Sequence, residues 1–266
     1  VTVTVTDLVS LEKHCGAVLV KTIIENTAED HRLRVIFPTR RDAEHSFADT
    51  PFAIVEREIQ IPEHTAIWQE RINEEKPFTS FCGCADSQGG LAVVSPAGLH
   101  EYAVLPTAAR ELAVTLLRAF GKTVGKPREK DGQLKGSLCL EYALVPFSGT
   151  PQPRTLLNLA SRLQTPVRIH ATAERPTPKS FLSVQHGKAV ITAIKPSSDG
   201  KGGIVRFWNP TSEAIEDGVV IAHPVTSACY CNLNEEPGEA IEYTGAYIPV
   251  RLAPGGLGTI SFTWQE

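Results

Sequence analysis

The sequence predicts an all-β protein, built as a large antiparallel β-sandwich followed by a smaller β-sandwich. Three observations predict it. Apolar and polar residues alternate with a period of two over most of the chain, the alternating runs are short and nearly evenly spaced, and Gly, Pro, Asp and Asn separate them. Such a pattern is that of an antiparallel sandwich.

Val1, Val3 and Val5 face one way and Thr2, Thr4 and Thr6 the other, as in a half-buried strand. Strands follow at 17–26 and 32–37, split by Thr27-Ala28-Glu29-Asp30, and then at 52–61, 78–85, 91–94 and 99–105. Gly89-Gly90 and Pro96-Ala97-Gly98 read as hairpin turns between them. The run 111–120 fits two periods. Leu112, Ala113, Leu116, Leu117 and Phe120 share a helical face, yet Leu112, Val114 and Leu116 also alternate. A helix is expected at 155–163, where Leu156, Leu159, Ala160 and Leu163 share a face between Pro151, Pro153 and Pro166.

The polar stretch 126–136 reads as an exposed, mobile loop, and the Pro- and Thr-rich 171–179 as a linker. The linker divides a domain at 1–172 from one at 180–266. In the second, strands are expected at 181–184, 189–195, 204–208, 218–223, 228–232, 247–252 and 259–264, with turns at Asp199-Gly200, Asn209-Pro210, Asp217-Gly218 and Pro254-Gly255-Gly256.

The 266 residues carry 26 Lys and Arg against 30 Asp and Glu, a formal charge of −4, which offers no basic excess for nucleic acid. No apolar run approaches the roughly 20 residues that span a bilayer. The chain has no Met and opens directly in an alternating strand, so the expectation is a piece of a longer polypeptide. No secretory leader is visible, and a cytoplasmic location is expected.

Local motifs for chemistry are sparse. Cys82/Cys84 and Cys229/Cys231 each place two thiols on one strand face. A four-thiolate zinc site joining the domains would need them, but structural zinc pairs sit at Cys-x₂₋₄-Cys in turns. Free, buried thiols are the expectation, and no metal site is assigned. The eight His form no His-x-His or His-Glu-x-x-His, and Gly-x-Ser-x-Gly, phosphate-loop and dinucleotide patterns are absent. Trp68, Tyr102, Trp208 and Tyr247 are eligible to stack on sugar rings or to fill the core.

The ordered segments Asp30-His31-Arg32-Leu33-Arg34-Val35-Ile36-Phe37-Pro38-Thr39, Ser46-Phe47-Ala48-Asp49-Thr50-Pro51-Phe52, Gly98-Leu99-His100-Glu101-Tyr102, Leu112-Ala113-Val114-Thr115-Leu116-Leu117-Arg118, Leu140-Glu141-Tyr142-Ala143-Leu144 and Val205-Arg206-Phe207-Trp208-Asn209-Pro210-Thr211 carry a resemblance. They resemble the C-terminal β-region of glycoside hydrolase family 38, the α-mannosidases and mannosylglycerate hydrolases. The resemblance implies a large sandwich of the galactose-mutarotase-like super-sandwich type, with 112–117 as one of its strands. It implies a retaining enzyme whose zinc ion, ligands and Asp nucleophile lie in an N-terminal barrel followed by a helical domain. None of those motifs has a counterpart here, so the chain is expected to be non-catalytic and to need no cofactor itself. Its expected partners are the barrel and helical domains of the same polypeptide, an α-mannoside substrate and a second copy in a homo-oligomer. Arg118 is the implied sugar contact, with Asp49 and Asp86 beside turns as further candidates. The alternative is a stand-alone carbohydrate-binding or scaffold protein.

Overall fold

The structure, a computed structural model, describes residues 2–70, 72–96, 98–122, 130–165, 167–173 and 179–265. Residues 126–129 of the expected loop, most of the linker at 174–178, Ala97 and Pro166 lie outside the described residues. The chain divides into two compact units, Val1–Pro166 and Val167–Glu266. Among the described residues, no helix is long and apolar enough to cross a membrane.

The first unit contains β1 (Val3–Leu11), β2 (Val18–Asn26), β3 (His31–Pro38), β4 (His45–Thr50), β5 (Ala53–Glu58), β6 (Lys76–Pro77), β7 (Phe81–Asp86), β8 (Gly89–Val94), β9 (Glu101–Val104), β10 (Glu111–Ala119), β11 (Gly136–Ser148) and α1 (Pro153–Gln164). A seven-stranded sheet runs in the order β1-β2-β11-β8-β7-β4-β5, and a four-stranded sheet in the order β3-β10-β9-β6. Every pairing is antiparallel. The inner faces meet in one core, in which Ile24, Cys82, Cys84, Val93 and Tyr142 of the larger sheet pack with Tyr102, Leu112, Val114 and Leu117 of the smaller. Phe47, Phe81, Ala92, Val94 and Ala143 point to the opposite face of the larger sheet, where Leu156 and Ala160 of α1 cover them.

The run 111–120 is a strand, and a bulge explains its double reading. The pairing of β10 with β3 shifts between Thr115 and Leu117, so Leu112 and Val114 point inward before the bulge and Leu117 and Ala119 after it. One inserted residue, Leu116, breaks the period of two and imitates a helical repeat. The strand β4 was not expected as such. Pro96-Ala97-Gly98 does not close a hairpin, because β8 and β9 belong to different sheets. The hairpin at Gly89-Gly90 is shifted, since both glycines belong to β8 and Ser87-Gln88 form the tip. Nor is the opening strand half-buried. As the edge strand of its sheet, β1 leaves Val5, Leu8, Val9 and Leu11 exposed, and only Val3 packs against the core.

The second unit contains β12 (Leu182–Val184), β13 (Val190–Pro196), β14 (Gly203–Trp208), β15 (Ile215–Ile221), β16 (Val225–Cys231), β17 (Pro237–Ala240), β18 (Tyr247–Leu252) and β19 (Leu257–Trp264). A three-stranded sheet, β12-β15-β18, faces a five-stranded one, β13-β14-β19-β16-β17, over a core that includes Val219, Ile248, Phe207, Ile260 and Phe262. Asp217-Gly218 is not a turn but the middle of β15. Asp217 is 3% exposed, and its carboxylate accepts four backbone N–H groups, from His186 (2.9 Å), Lys188 (2.6 Å), Ala189 (2.9 Å) and Gly218 (2.8 Å). It fastens the loop between β12 and β13 onto the sheet.

Candidate functional site

On β3, Leu33, Val35 and Phe37 face the core, so Arg32 and Arg34 must face outward. Pairing sets Arg32 opposite Arg118 and Arg34 opposite Thr115. Without the bulge at Leu116, Thr115 and Arg118 would lie on opposite faces. With it, both join the two arginines on the outer face of the four-stranded sheet.

Two carboxylates hold this cluster together. Glu101 Oε2 accepts from Arg118 Nη1 at 3.1 Å, while its Oε1 accepts from Thr115 Oγ1 at 2.7 Å and stands 3.5 Å from Arg32 Nη1. Glu75 Oε1 accepts from Arg32 Nη1 at 2.6 Å and stands 3.5 Å from Arg34 Nη1. Burial works against ionisation of Glu75, but the Arg32 hydrogen bond and the two arginine charges outweigh it and hold its carboxyl below the usual range. Arg118 is 57% exposed and lies 5.5 Å from the Phe120 ring centroid. One N–H of its fork is committed to Glu101. The remaining donors face solvent, where they can bind paired hydroxyls or a carboxylate.

The other two candidates sit elsewhere. Asp49, near the end of β4, is 5% exposed and accepts the Ser80 hydroxyl; burial pushes its carboxyl up, against the Ser80 hydrogen bonds. Asp86 closes the β7–β8 turn. Its Oδ1 accepts from the backbone N–H of Gln88 at 2.9 Å and of Gly89 at 3.1 Å, where φ is +140°, and its Oδ2 accepts from Asp42 N at 3.2 Å. Those hydrogen bonds, with the one to Gln88 foremost, hold its carboxyl below the ordinary value. Asp86 also borders an open groove of about 490 Å³ that Asp42, Glu44, His45 and Glu56 share. Since β4 and β7 are antiparallel, Asp49 and Asp86 lie at opposite ends of the pair, roughly 17 Å apart along the strands. The structure therefore does not gather Arg118, Asp49 and Asp86 into one site. It gathers Arg118 with Arg32, Arg34, Glu75 and Glu101, a cluster whose legible signal was the alternation of Arg32 and Arg34 with apolar neighbours.

Cys82 and Cys84 lie side by side in the core, and burial pushes both thiols up, Cys82 well above its ordinary value. Cys229 and Cys231 are half-buried on β16. Among the described residues, no group of three or more His, Cys, Asp or Glu side chains stands close enough to hold a metal ion. Of the aromatic candidates, Tyr102 and Trp208 are buried, Tyr247 is half-buried against Gly218, and Trp68 is exposed beside His64.

The family model for the glycosyl hydrolases family 38 C-terminal domain matches residues 2–125, and that for the C-terminal β-sandwich domain of the same family matches residues 188–259. The chain carries the C-terminal domains of glycosyl hydrolase family 38. The two models fall on the two compact units in order. A curated relative from Halalkalibacterium halodurans, named "putative mannosylglycerate hydrolase", is 30% identical over 77% of this family 38 chain and 22% of its own length. The crystal structure of an alpha-mannosidase from Enterococcus faecalis V583 superposes with a TM-score of 0.81 at 27% identity, covering 97% of this chain and 28% of that one. A family 38 protein from Enterococcus faecalis gives 0.78 at 27% identity, over 97% and 29%. The chain thus spans less than a third of the length of these relatives.

Proposed function

We propose that this chain is the non-catalytic β-region of a retaining, α-mannoside-cleaving glycoside hydrolase. In this reading it packs against the barrel and helical domains of the same polypeptide and forms one wall of the sugar site. The observation that carries the reading is the match to an alpha-mannosidase over 97% of this chain but only 28% of that one. Zinc and the nucleophile belong, on this reading, to the part of the polypeptide outside this chain. The exposed Val5, Leu8, Val9 and Leu11 on β1 support a packed role, because apolar side chains on an edge strand favour a covering surface. Arg118 is the proposed sugar contact, positioned by Glu101 and the Phe120 ring. The free thiols suit a reducing compartment such as the cytoplasm.

The test uses the longer polypeptide that contains this chain, purified from its source, with an aryl α-mannoside. Arg118→Ala is expected to lower kcat/KM about tenfold, as loss of a charge-assisted hydrogen bond predicts, with an unchanged melting temperature. An unaltered kcat/KM refutes the role of Arg118. An immunoblot against this chain tests the larger claim: a native polypeptide no heavier than the chain itself refutes the role of β-region and favours the stand-alone carbohydrate-binding protein.

A further inference from the structure

The two sheets of the first unit meet at an open edge formed by β5 and β6, the outermost strands on that side. Inward-facing positions at such an edge are expected to continue the apolar core. Here they are polar. Pairing places Ser46 beside Arg57 on one sheet and Tyr102 beside Lys76 on the other, and all four share the inward parity of Ala48 and Val104. The Ser46 and Tyr102 hydroxyls stand 3.1 Å apart across the sandwich, and Arg57 Nη1 donates to the same Tyr102 oxygen at 3.4 Å. Tyr102 is only 1% exposed and lies beneath the surface, while Ser46, Arg57 and Lys76 line a hollow above it. The hollow measures about 470 Å³, and Ile59, Ile61, Ile72 and Val104 make its walls apolar.

The charge arrangement is unusual for a purely structural edge. Arg57 has the Tyr102 hydroxyl as its hydrogen-bond partner and makes no ion pair among the described residues. Lys76 donates to the Asn73 carbonyl at 2.6 Å and likewise makes no ion pair. Glu58 and Glu74 border the hollow without pairing to either cation. Burial and the neighbouring Arg57 charge push the Lys76 ammonium down, against the pull of Glu74 and Glu75. Two cations therefore look into one hollow, and among the described residues no carboxylate is ion-paired to either, although Glu58 and Glu74 share its rim. An oxyanion between them would gain charge-assisted hydrogen bonds from both and would relieve their mutual repulsion.

We propose that this hollow binds a small oxyanion carried on a compact, partly apolar body, with Arg57 and Lys76 as its cationic clamp and the Ser46 and Tyr102 hydroxyls behind. The site is separate from the Arg118 cluster, which occupies the outer face of the same sheet, and the proposal stands whether or not the polypeptide cleaves α-mannosides.

The test is calorimetric titration of the longer polypeptide with inorganic phosphate and, separately, with succinate, at constant ionic strength. Saturable binding of at least one anion, at one site per chain, is expected. Whichever of the two binds more tightly identifies the head group as phosphate or carboxylate. Arg57→Gln and Lys76→Gln are each expected to weaken it about tenfold or more. Lys21→Gln, which removes an exposed cation paired with Glu141 on the larger sheet, is expected to leave it unchanged. Melting curves confirm that each variant is folded, and either clamp variant suffices if the other is not. Absence of saturable binding to the unaltered polypeptide overturns the proposal, including the case in which an acidic side chain from elsewhere in the polypeptide already fills the hollow. Equal affinity in a folded clamp variant overturns it as well.

Discussion

Replacing Asp217 by Asn keeps the shape of the side chain and removes half of what it does. The carboxylate accepts N–H groups from His186 and Gly218 on Oδ1 and from Lys188 and Ala189 on Oδ2. An amide has one acceptor oxygen, so its NH₂ must face two of those four donors. Losing hydrogen bonds to a buried charge costs about 1.5–3 kcal/mol each, so the two together should cost about 3–6 kcal/mol. In a unit of roughly 100 residues each kcal/mol lowers the melting temperature by about 4–8 °C, so a fall of at least about 12 °C is expected for the transition of Val167–Glu266. Differential scanning calorimetry at neutral pH measures it.

The pH dependence supplies an independent arm. Burial alone would raise the Asp217 carboxyl, but the four backbone hydrogen bonds outweigh it, and the folded state holds the group below its ordinary value of 3.8. The ionised form therefore contributes its full stability above the unfolded-state value and loses it as pH falls through the lowered folded value. Asn does not titrate, so the gap between the two proteins should narrow as pH drops below about 3.8. A fall of under about 4 °C at neutral pH, or a gap that does not change in acid, would refute the reasoning.

Three further outcomes are expected. Gly83→Ala should destabilise the first unit by about 1–3 kcal/mol, because the new Cβ would lie 2.5 Å from the Leu91 carbonyl oxygen and 2.7 Å from Phe47 Cζ; chemical denaturation measures the loss. Under native conditions a thiol reagent should label exposed Cys139 first and leave buried Cys82 unmodified until the chain unfolds, as mass spectrometry of the labelled peptides would show. Arg118→Gln should change stability by less than about 1 kcal/mol, since its ion pair with Glu101 is largely solvated; a larger loss in the denaturation midpoint would mean that the cluster is structural rather than available to a ligand.

Most of the fold is legible in the sequence, and the exceptions have physical causes. β18 is readable because alternate side chains enter a core on one side only, and β14 because it is a short apolar run buried along almost its whole length. β17 escapes because a fully exposed edge strand needs no apolar residues, and Pro237-Gly238 reads as a breaker. Asp217-Gly218 mimics a turn because its composition is that of a turn, while the carboxylate bonds to backbone that only the folded chain brings near. The Arg118 cluster was half legible. Arg32 and Arg34 alternate within one strand, but Glu75 and Glu101 come from separate segments, and only the pairing of β3, β10, β9 and β6 unites them. The clamp at the open edge was illegible for the same reason, since Ser46, Arg57, Lys76 and Tyr102 show no common spacing.

The free side of β1 carries a further consequence. A nine-residue strand with a single neighbour offers a row of unsatisfied amide and carbonyl groups to any extended chain, including another copy of itself. The most complete such addition is antiparallel, with each Val3 meeting the opposite Leu11, and the midpoint of that arrangement is Asp7. Two Asp7 carboxylates would then face each other across the seam, a like-charge contact that opposes it. Within the protein, Asp7 is meanwhile held by the Thr22 hydroxyl at 2.6 Å. One acidic residue at the strand's centre of symmetry thus opposes the full-length antiparallel self-pairing of an apolar edge.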